Sequence, residues 1–489
     1  MAAGRQRGRH ASWKLCAVLW VPLGLLCLRA DAGPESKEGG ATNDLIIDVR
    51  QSQDRQIIDG FGGSLAFWGF DASEEALRYA FEDLGATIVR VPGEVSMSGA
   101  PDEDRAALGR VTKLAPQAKV VLSFWQPRSS GRPKVSDWLD SLGEKGYALK
   151  PSMRAAWSDE IVRRVQTVRR DWGANVHAVS VQNEPNFSVP GSLTCRWEPG
   201  ALAEFISDWL GPRLKNADLP VQLAVPDLAY IGDGAAEAKR FHPVSASRQA
   251  SIFCYHMYDS YRDTEAPGGL AAMHARQKAL GRYLRDQLAG KRIWMTETTG
   301  AQWNTREWHT LGWYPKMDEH EKALAAACYM HAALVDAQAN AFLWWGLTYS
   351  LPAPIHTGEK AQKFRDEGLI LVGCERKEGV HPYAEKTPKY YAFKQFSRFV
   401  RPGWVRLEVK VPSTLSVAAF RSPDRKQVAA VVINSEKSRR EIKPRLVGDA
   451  RYRLAEVYIT DREHQCEMVR WTGSVSGESV TTLIYQVEE

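Results

Sequence analysis

The sequence is poor in the features that define several large classes. Only seven cysteines occur in 489 residues, and none forms a Cys-x-x-Cys pair. That excludes a small disulfide scaffold and the common cysteine-rich zinc modules. No His-Glu-x-x-His run and no close grouping of His and Asp occurs along the chain, so neither a metal nor any other cofactor is expected. No block rich in Lys or Arg is present, which argues against a nucleic-acid partner. The only long apolar run, residues 15–28, is shorter than the roughly 20 residues a membrane span needs. Internal repeats and long low-complexity tracts are also lacking.

What is present begins with a targeting pattern. Arg5, Arg7, Arg9 and Lys14 precede the apolar run, and Ala30-Asp31-Ala32 follows it. Residues 1–32 are therefore expected to be a secretory signal, with the protein secreted to an extracellular or periplasmic space and acting as a monomer. An uncleaved anchor is the alternative. This segment holds five basic groups and one acid, so of the formal charge of +6 about +2 belongs to the rest of the chain. It also takes away Cys16 and Cys27, leaving five cysteines. Cys254 and Cys328 lie in apolar segments and read as buried thiols. Cys195, Cys374 and Cys466 fall in loop-like or edge sequence, where one disulfide is open and the pairing undetermined.

Residues 33–43 read as a flexible leader, and 44–56 as a first strand contributed to a C-terminal sheet domain. From 57 to 400, apolar β-branched runs alternate with amphipathic helical stretches. The strand candidates are 60–68, 87–92, 119–125, 178–184, 221–226, 251–258, 292–298 and 341–347. Helical patterns include 73–84, 153–172, 201–215, 270–288 and 319–338. Eight such units imply an α/β fold, a (β/α)8 TIM barrel, with an open doubly wound sheet as the alternative. After 347 a loop to 386 shows little periodicity, and a helix follows at 390–399. Residues 401–489 alternate strands with turns and read as an attached C-terminal β-sandwich.

Barrel active sites sit at the C-terminal strand ends, so the polar residues that end each run carry the argument. The second run ends in Arg90, the third in Trp125-Gln126 and the fourth in Asn183-Glu184-Pro185. His256 and Tyr258 end the sixth, Glu297 the seventh and Trp344-Trp345 the eighth. Glu184 and Glu297 come from strands on opposite sides of a barrel and can face each other across a bound ligand. Glycoside hydrolysis needs such a pair, one carboxyl to protonate the leaving oxygen and one to attack or activate water. The 17 Trp residues suit the same purpose, since an indole face stacks on a sugar ring. A silent carbohydrate-binding protein on the same fold would need neither Glu.

The motifs resemble glycoside hydrolase family 30, a family of retaining β-glycosidases in the four-seven (clan A) barrel superfamily. Ile58-Asp59-Gly60-Phe61-Gly62-Gly63-Ser64, Arg90-Val91-Pro92 and Asn183-Glu184-Pro185 are similar to that family in order. So are the late Glu297 and Ser397-Arg398-Phe399-Val400-Arg401-Pro402-Gly403, and the match spans roughly 44 to 489. The resemblance implies that Glu184 is the acid/base and Glu297 the nucleophile. It further implies a carbohydrate substrate, with Asn183 on the sugar 2-OH, Arg90 holding Glu297 ionised, and Tyr258 donating to Glu297. His256 either shapes the adjacent subsite or is a satisfied structural histidine. Trp345 or Trp344 would floor the sugar site, only one of two consecutive strand residues being able to face the lumen. Trp68 and Trp125 are further stacking candidates. Asn186-Phe187-Ser188 is a formal glycosylation sequon beside the acid, and reads as a false positive. Family members divide by substrate: glucosylceramide, β-1,6-glucan, β-1,6-galactan, xylan or glucuronoxylan. The glucuronoxylan-specific members carry arginines just after the strand-eight Trp pair, where this chain reads Gly346-Leu347-Thr348-Tyr349. An endo-xylanase or β-1,6-galactanase/glucanase is expected. The alternative is an exo-acting enzyme of glucosylceramidase or β-xylosidase type, with residues 190–199 or 302–315 closing one side of the cleft.

Overall fold

The structure is a computed structural model describing residues 43–51, 54–65, 73–93, 101–129, 134–190, 193–259, 269–299, 302–303, 310–311, 317–352, 367–374, 383–412 and 414–488. The expected signal, the leader up to residue 42, Trp68 and most of 302–315 lie outside those residues. Among the described residues no helix is long and apolar enough to cross a membrane.

Eight parallel strands close into a TIM barrel. They are Gly60–Ser64, Ile88–Pro92, Lys119–Ser123, Val176–Ser180, Gln222–Ala224, Ala250–His256, Arg292–Glu297 and Ala341–Pro352. The eighth pairs with both the seventh and the first, which leaves no free edge. Helices cover the outside, among them Arg154–Gln166, Gly269–Gln287 and Glu319–His331. The period of two along each strand sorts side chains: Val89, Leu122, Val179 and Phe253 pack outward under the helices. Ile88, Val121, Ala178, Ala224, Ile252, Cys254, Trp294, Ala341 and Leu343 fill the interior. The first strand is mostly glycine because its neighbours crowd it. A Cβ at Gly62 would lie 1.7 Å from the Ile88 carbonyl oxygen.

The stretch after residue 347 departs from the expected loop. The eighth strand runs on to Pro352 and pairs with Gly368–Cys374, which in turn pairs antiparallel with Tyr383–Lys386. Leu369, Ile370, Leu371 and Val372 are all buried, so both faces of this added strand are covered and no alternation marks it.

An eight-stranded sheet forms the C-terminal part. Its order is Lys443–Val447, Asp44–Asp48, Val405–Lys410, Ser416–Arg421, Gln427–Asn434, Ser479–Val487, Tyr452–Thr460, Gln465–Met468. Asp44–Asp48 thus lies inside the sheet, antiparallel to Val405–Lys410 and parallel to Lys443–Val447. Both faces are apolar. Val428, Ala430 and Val432 join Leu45, Ile47 and Leu483 on one side, while Ala429, Val431 and Ile433 join the barrel core on the other. Helix Glu319–His331 lies between barrel and sheet, and from Lys322 to His331 every residue is buried. Its Ala-Leu-Ala-Ala-Ala-Cys-Tyr-Met text is apolar all round for that reason.

Cys195 and Cys466 are buried free thiols, so the disulfide left open between them does not form; the Cys374 side chain lies outside the described part. Cys254 and Cys328 are buried free thiols as well.

A chain ended at Pro402 would lose every partner of Asp44–Asp48 and uncover the apolar face over helix Glu319–His331. Returning each large apolar side chain to water costs about 1.5–3 kcal/mol, and only a few exhaust a stability of about 5–15 kcal/mol. The truncated protein is expected to be insoluble on expression. Recovery of a soluble fragment ending there that unfolds cooperatively would show the barrel to be self-sufficient.

Candidate active site

Two residues beyond the apolar plug, the same strands carry polar side chains inward. Arg90 follows Ile88, Ser123 follows Val121, Ser180 follows Ala178, His256 follows Cys254 and Thr296 follows Trp294. All five are buried.

Arg90 is fully buried and branches to four partners. Its Nη1 donates to Glu297 Oε2, and its Nη2 to Asn183 Oδ1 (2.5 Å), Ser123 Oγ (2.9 Å) and Asp227 Oδ2 (3.1 Å). The guanidinium also lies 4.6 Å from the Trp125 ring centre. Only a planar fork of donors serves so many acceptors at once.

Asp227 is the residue that the sequence reading missed. It stands just past the fifth strand, fully buried, and accepts from Ser180 Oγ and Thr296 Oγ1 besides Arg90. His256 Nε2 lies 3.3 Å from its Oδ1. Burial alone would raise its pKa, but the Arg90 and His256 charges hold it well below the usual carboxylate range.

His256 bridges the carboxylates. Its Nδ1 is 3.0 Å from Glu184 Oε1 and 3.7 Å from Glu297 Oε1. Burial disfavours the charged ring, yet Glu297 and Asp227 raise its pKa to about 10. Because the folded value exceeds the ordinary 6.5, this pairing stabilises the fold fully below pH 6.5 and is lost as pH rises through about 10.

Glu297 is buried and accepts from Tyr258 Oη (2.7 Å) and from Arg90. Burial pushes its carboxyl above the usual range, against the pull of the His256 and Arg90 cations. Both Thr296 and Glu297 reach the polar shelf, although they are consecutive. The register shift between Met295 and Glu297 permits this, as a bulge re-aims the second side chain.

Glu184 is partly exposed at the lip, with a left-handed backbone (φ 52°) that non-glycine residues seldom hold. Asp227 shares that geometry (φ 65°), and the Glu184 N–H donates to the Asp227 carbonyl at 3.0 Å. An oxygen of Glu184, an oxygen of Glu297 and a His256 nitrogen all lie within 4.8 Å of one another.

Asn183 is buried with Oδ1 held by Arg90, which leaves its amide N–H groups for a ligand. Trp345 is partly exposed and its ring lies 6.3 Å from that of Trp125. Trp344 is not at the mouth. It is fully buried on the outward face, its Nε1 donating to the Glu367 carbonyl at 2.8 Å. Of the residues expected at the site, Arg90, Trp125, Asn183, Glu184, His256, Tyr258, Glu297 and Trp345 are brought together and Trp344 is not, while Trp68 lies outside the described residues. Asn186 of the sequon is buried, its amide bonded to Tyr230 and Ala229.

No family model matches the chain. Over 415 residues the chain is 24% identical to glucuronoxylanase XynC of Bacillus subtilis (strain 168), spanning 82% of this chain and 80% of that protein. Solved structures that share the fold include the following two. One is the catalytic domain of a GH30 xylanase C from Talaromyces cellulolyticus, at 19% identity and TM-score 0.66, covering 90% of this chain and 100% of that one. The other is an endo-β-1,6-glucanase, at 16% identity and TM-score 0.63, covering 92% and 95%.

Proposed function

We propose that the chain is a glycoside hydrolase of family 30 that cleaves β-linked polysaccharide internally, with retention, through Glu184 as acid/base and Glu297 as nucleophile. The observation that carries this reading is the approach of the two carboxyl groups, with one oxygen of each within 4.8 Å. Retaining enzymes hold the pair about 5–5.5 Å apart, and inverting ones about 6.5–9.5 Å to admit a water.

The charges around the pair support the same sequence of steps. Arg90 and His256 carry two positive charges, and Asp227 and Glu297 two negative ones, so the cluster is neutral while Glu184 holds its proton. The His256 Nδ1–H donates to Glu184 Oε1, leaving the other oxygen to protonate the leaving group. Glu297 attacks the anomeric carbon and loses its charge to the new ester. Glu184 gains a charge in the same step, and the cluster stays neutral. A buried cluster of constant net charge avoids the large penalty of an unbalanced ion in low dielectric. In the second half, Glu184 takes a proton from water, the water oxygen displaces Glu297, and the starting charges return.

The Asn183 amide would donate to the sugar 2-OH, a bond that strengthens in the transition state. Trp345, beside Trp125, would floor the sugar site. Substrate class follows from what stands just after the Trp pair in the eighth strand. Thr348 and Tyr349 are buried there, with Tyr349 Oη bonded to Glu367 at 2.7 Å, so that stretch offers no cation to a glucuronate. We therefore propose unsubstituted xylan or β-1,6-glucan as substrate. The signal-like residues 1–32 support secretion, which N-terminal sequencing of exported protein checks.

The proton NMR spectrum of the first product formed is expected to show the β anomer, with mutarotation only afterwards. Early α product would overturn the mechanism. On a panel of xylan, glucuronoxylan, β-1,6-glucan and β-1,6-galactan, a rapid fall in viscosity with mixed oligosaccharides is expected on one of the first three, with no dependence on glucuronate. Release of monosaccharide alone would make the enzyme exo-acting.

A further inference from the structure

In the helical layer outside the barrel, three residues from two helical runs converge. His274 lies on helix Gly269–Gln287, His331 ends helix Glu319–His331, and Asp336 ends the helical turn that follows. One ligand atom from each lies within 4.8 Å of the others. His274 Nδ1 is hydrogen-bonded to Asp336 Oδ2 at 2.5 Å, and the two imidazole rings meet edge-on with centres 5.5 Å apart.

His331 supplies a second, independent observation. It is only 8% exposed, and its Nε2 lies 3.2 Å from the Val417 carbonyl oxygen. A carbonyl accepts and never donates, so Nε2 carries the hydrogen and Nδ1 holds a lone pair. That Nδ1 is buried and has no hydrogen-bond partner among the described residues. An imidazole anchored through one nitrogen to a backbone carbonyl, with the other nitrogen bare, is the arrangement found behind metal-bound histidines.

We propose that His274, His331 and Asp336 form a binding site for one divalent transition-metal ion of the zinc type, with water as its fourth ligand. Two neutral imidazoles and one carboxylate suit zinc in type and number. Carboxylate and imidazole, now hydrogen-bonded, need only part slightly to take an ion at about 2.0–2.2 Å from each. Among the described residues, the cations that face the group include Lys278, whose Nζ is 3.9 Å from Asp336 Oδ1 on a largely exposed side chain, and Arg406, whose charge reaches His331. The ion would tie together the helices that follow strands six and seven. Through Val417 it would also tie them to the C-terminal sheet. Its effect belongs to stability, since the three residues sit on helices and form a group separate from Glu184, His256 and Glu297.

The test uses the full chain, stripped with a chelator, dialysed and titrated with zinc chloride in a calorimeter. One equivalent is expected to bind with micromolar or tighter affinity. At a hundredfold excess over Kd the melting temperature should rise by about 3–5 °C. His274→Ala and the isosteric Asp336→Asn should each weaken binding at least tenfold, with activity on an aryl glycoside unchanged. A Glu184→Gln/Glu297→Gln double variant should bind zinc as the parent does, because the mouth also gathers a histidine and two carboxylates. Failure of the parent to bind zinc, undiminished binding in both His274→Ala and Asp336→Asn, or loss of the equivalent in the double variant would each overturn the proposal.

Discussion

Glu184→Ala is expected to hydrolyse dinitrophenyl β-glycosides in a burst and then stall, until added azide restores turnover and yields the β-glycosyl azide. A dinitrophenolate leaves without a proton, so Glu297 can still be glycosylated. The second half fails because nothing activates water, and azide needs no such help. On natural polysaccharide the same variant should lose about 10²–10⁴ in rate, for want of a proton on the leaving oxygen. Glu297→Gly removes the attacking atom, so good leaving groups do not rescue it, and a loss of roughly 10⁴ or more is expected on any substrate. Azide entering the vacated space would attack from the opposite face and give the α-glycosyl azide. The anomer thus assigns each residue by chemistry alone. An α-azide from Glu184→Ala, or losses below about tenfold on polysaccharide for both variants, would refute the assignment.

The second large effect belongs to Arg90, and it splits by substitution. Arg90→Lys keeps the charge between Asp227 and Glu297 but replaces a planar fork with a point donor. An ammonium cannot hold Glu297 and Asn183 together while reaching Ser123 and Asp227. The protein is expected to fold while kcat falls about 10²–10³-fold, the usual cost of a displaced nucleophile or lost transition-state donor. Arg90→Met takes one of two neighbouring cations from buried Asp227 and Glu297 and leaves His256 to face both, and breaking such a buried pair costs about 3–5 kcal/mol. Its melting temperature should drop by several degrees or the protein should fail to fold. Near-normal kcat in Arg90→Lys would make Arg90 a packing residue only.

Much of this architecture was legible before any coordinates. The eight apolar runs stand out because parallel barrel strands are covered on both sides, by the plug within and by helices without. Arg90, Glu184 and Glu297 were conspicuous as polar ends of apolar text. Asp227 was not, since an Asp after Val225-Pro226 reads as an ordinary turn residue. Its meaning arises only when barrel closure sets it against Arg90, 137 residues away, and His256. The choice between Trp344 and Trp345 needed the strand phase: Leu343 faces inward, so Trp344 faces out and Trp345 in. The strand Gly368–Cys374 escaped notice because its partner is the far half of strand eight, a length that no local pattern announces.

The place of Asp44–Asp48 in the last sheet also bears on how the chain comes off the ribosome. Its neighbours, Val405–Lys410 and Lys443–Val447, are synthesised more than 350 residues later. At about 5–20 residues per second, that is an interval of roughly 20–70 s. Throughout it Leu45, Ile47 and Val49 have no partner strand, and the barrel forms with its sheet-facing helix bare. Vectorial folding can finish the barrel domain-first but cannot seal it. Asp44–Asp48 is made early and satisfied late, and its apolar side chains wait for partners for as long as the two segments are apart.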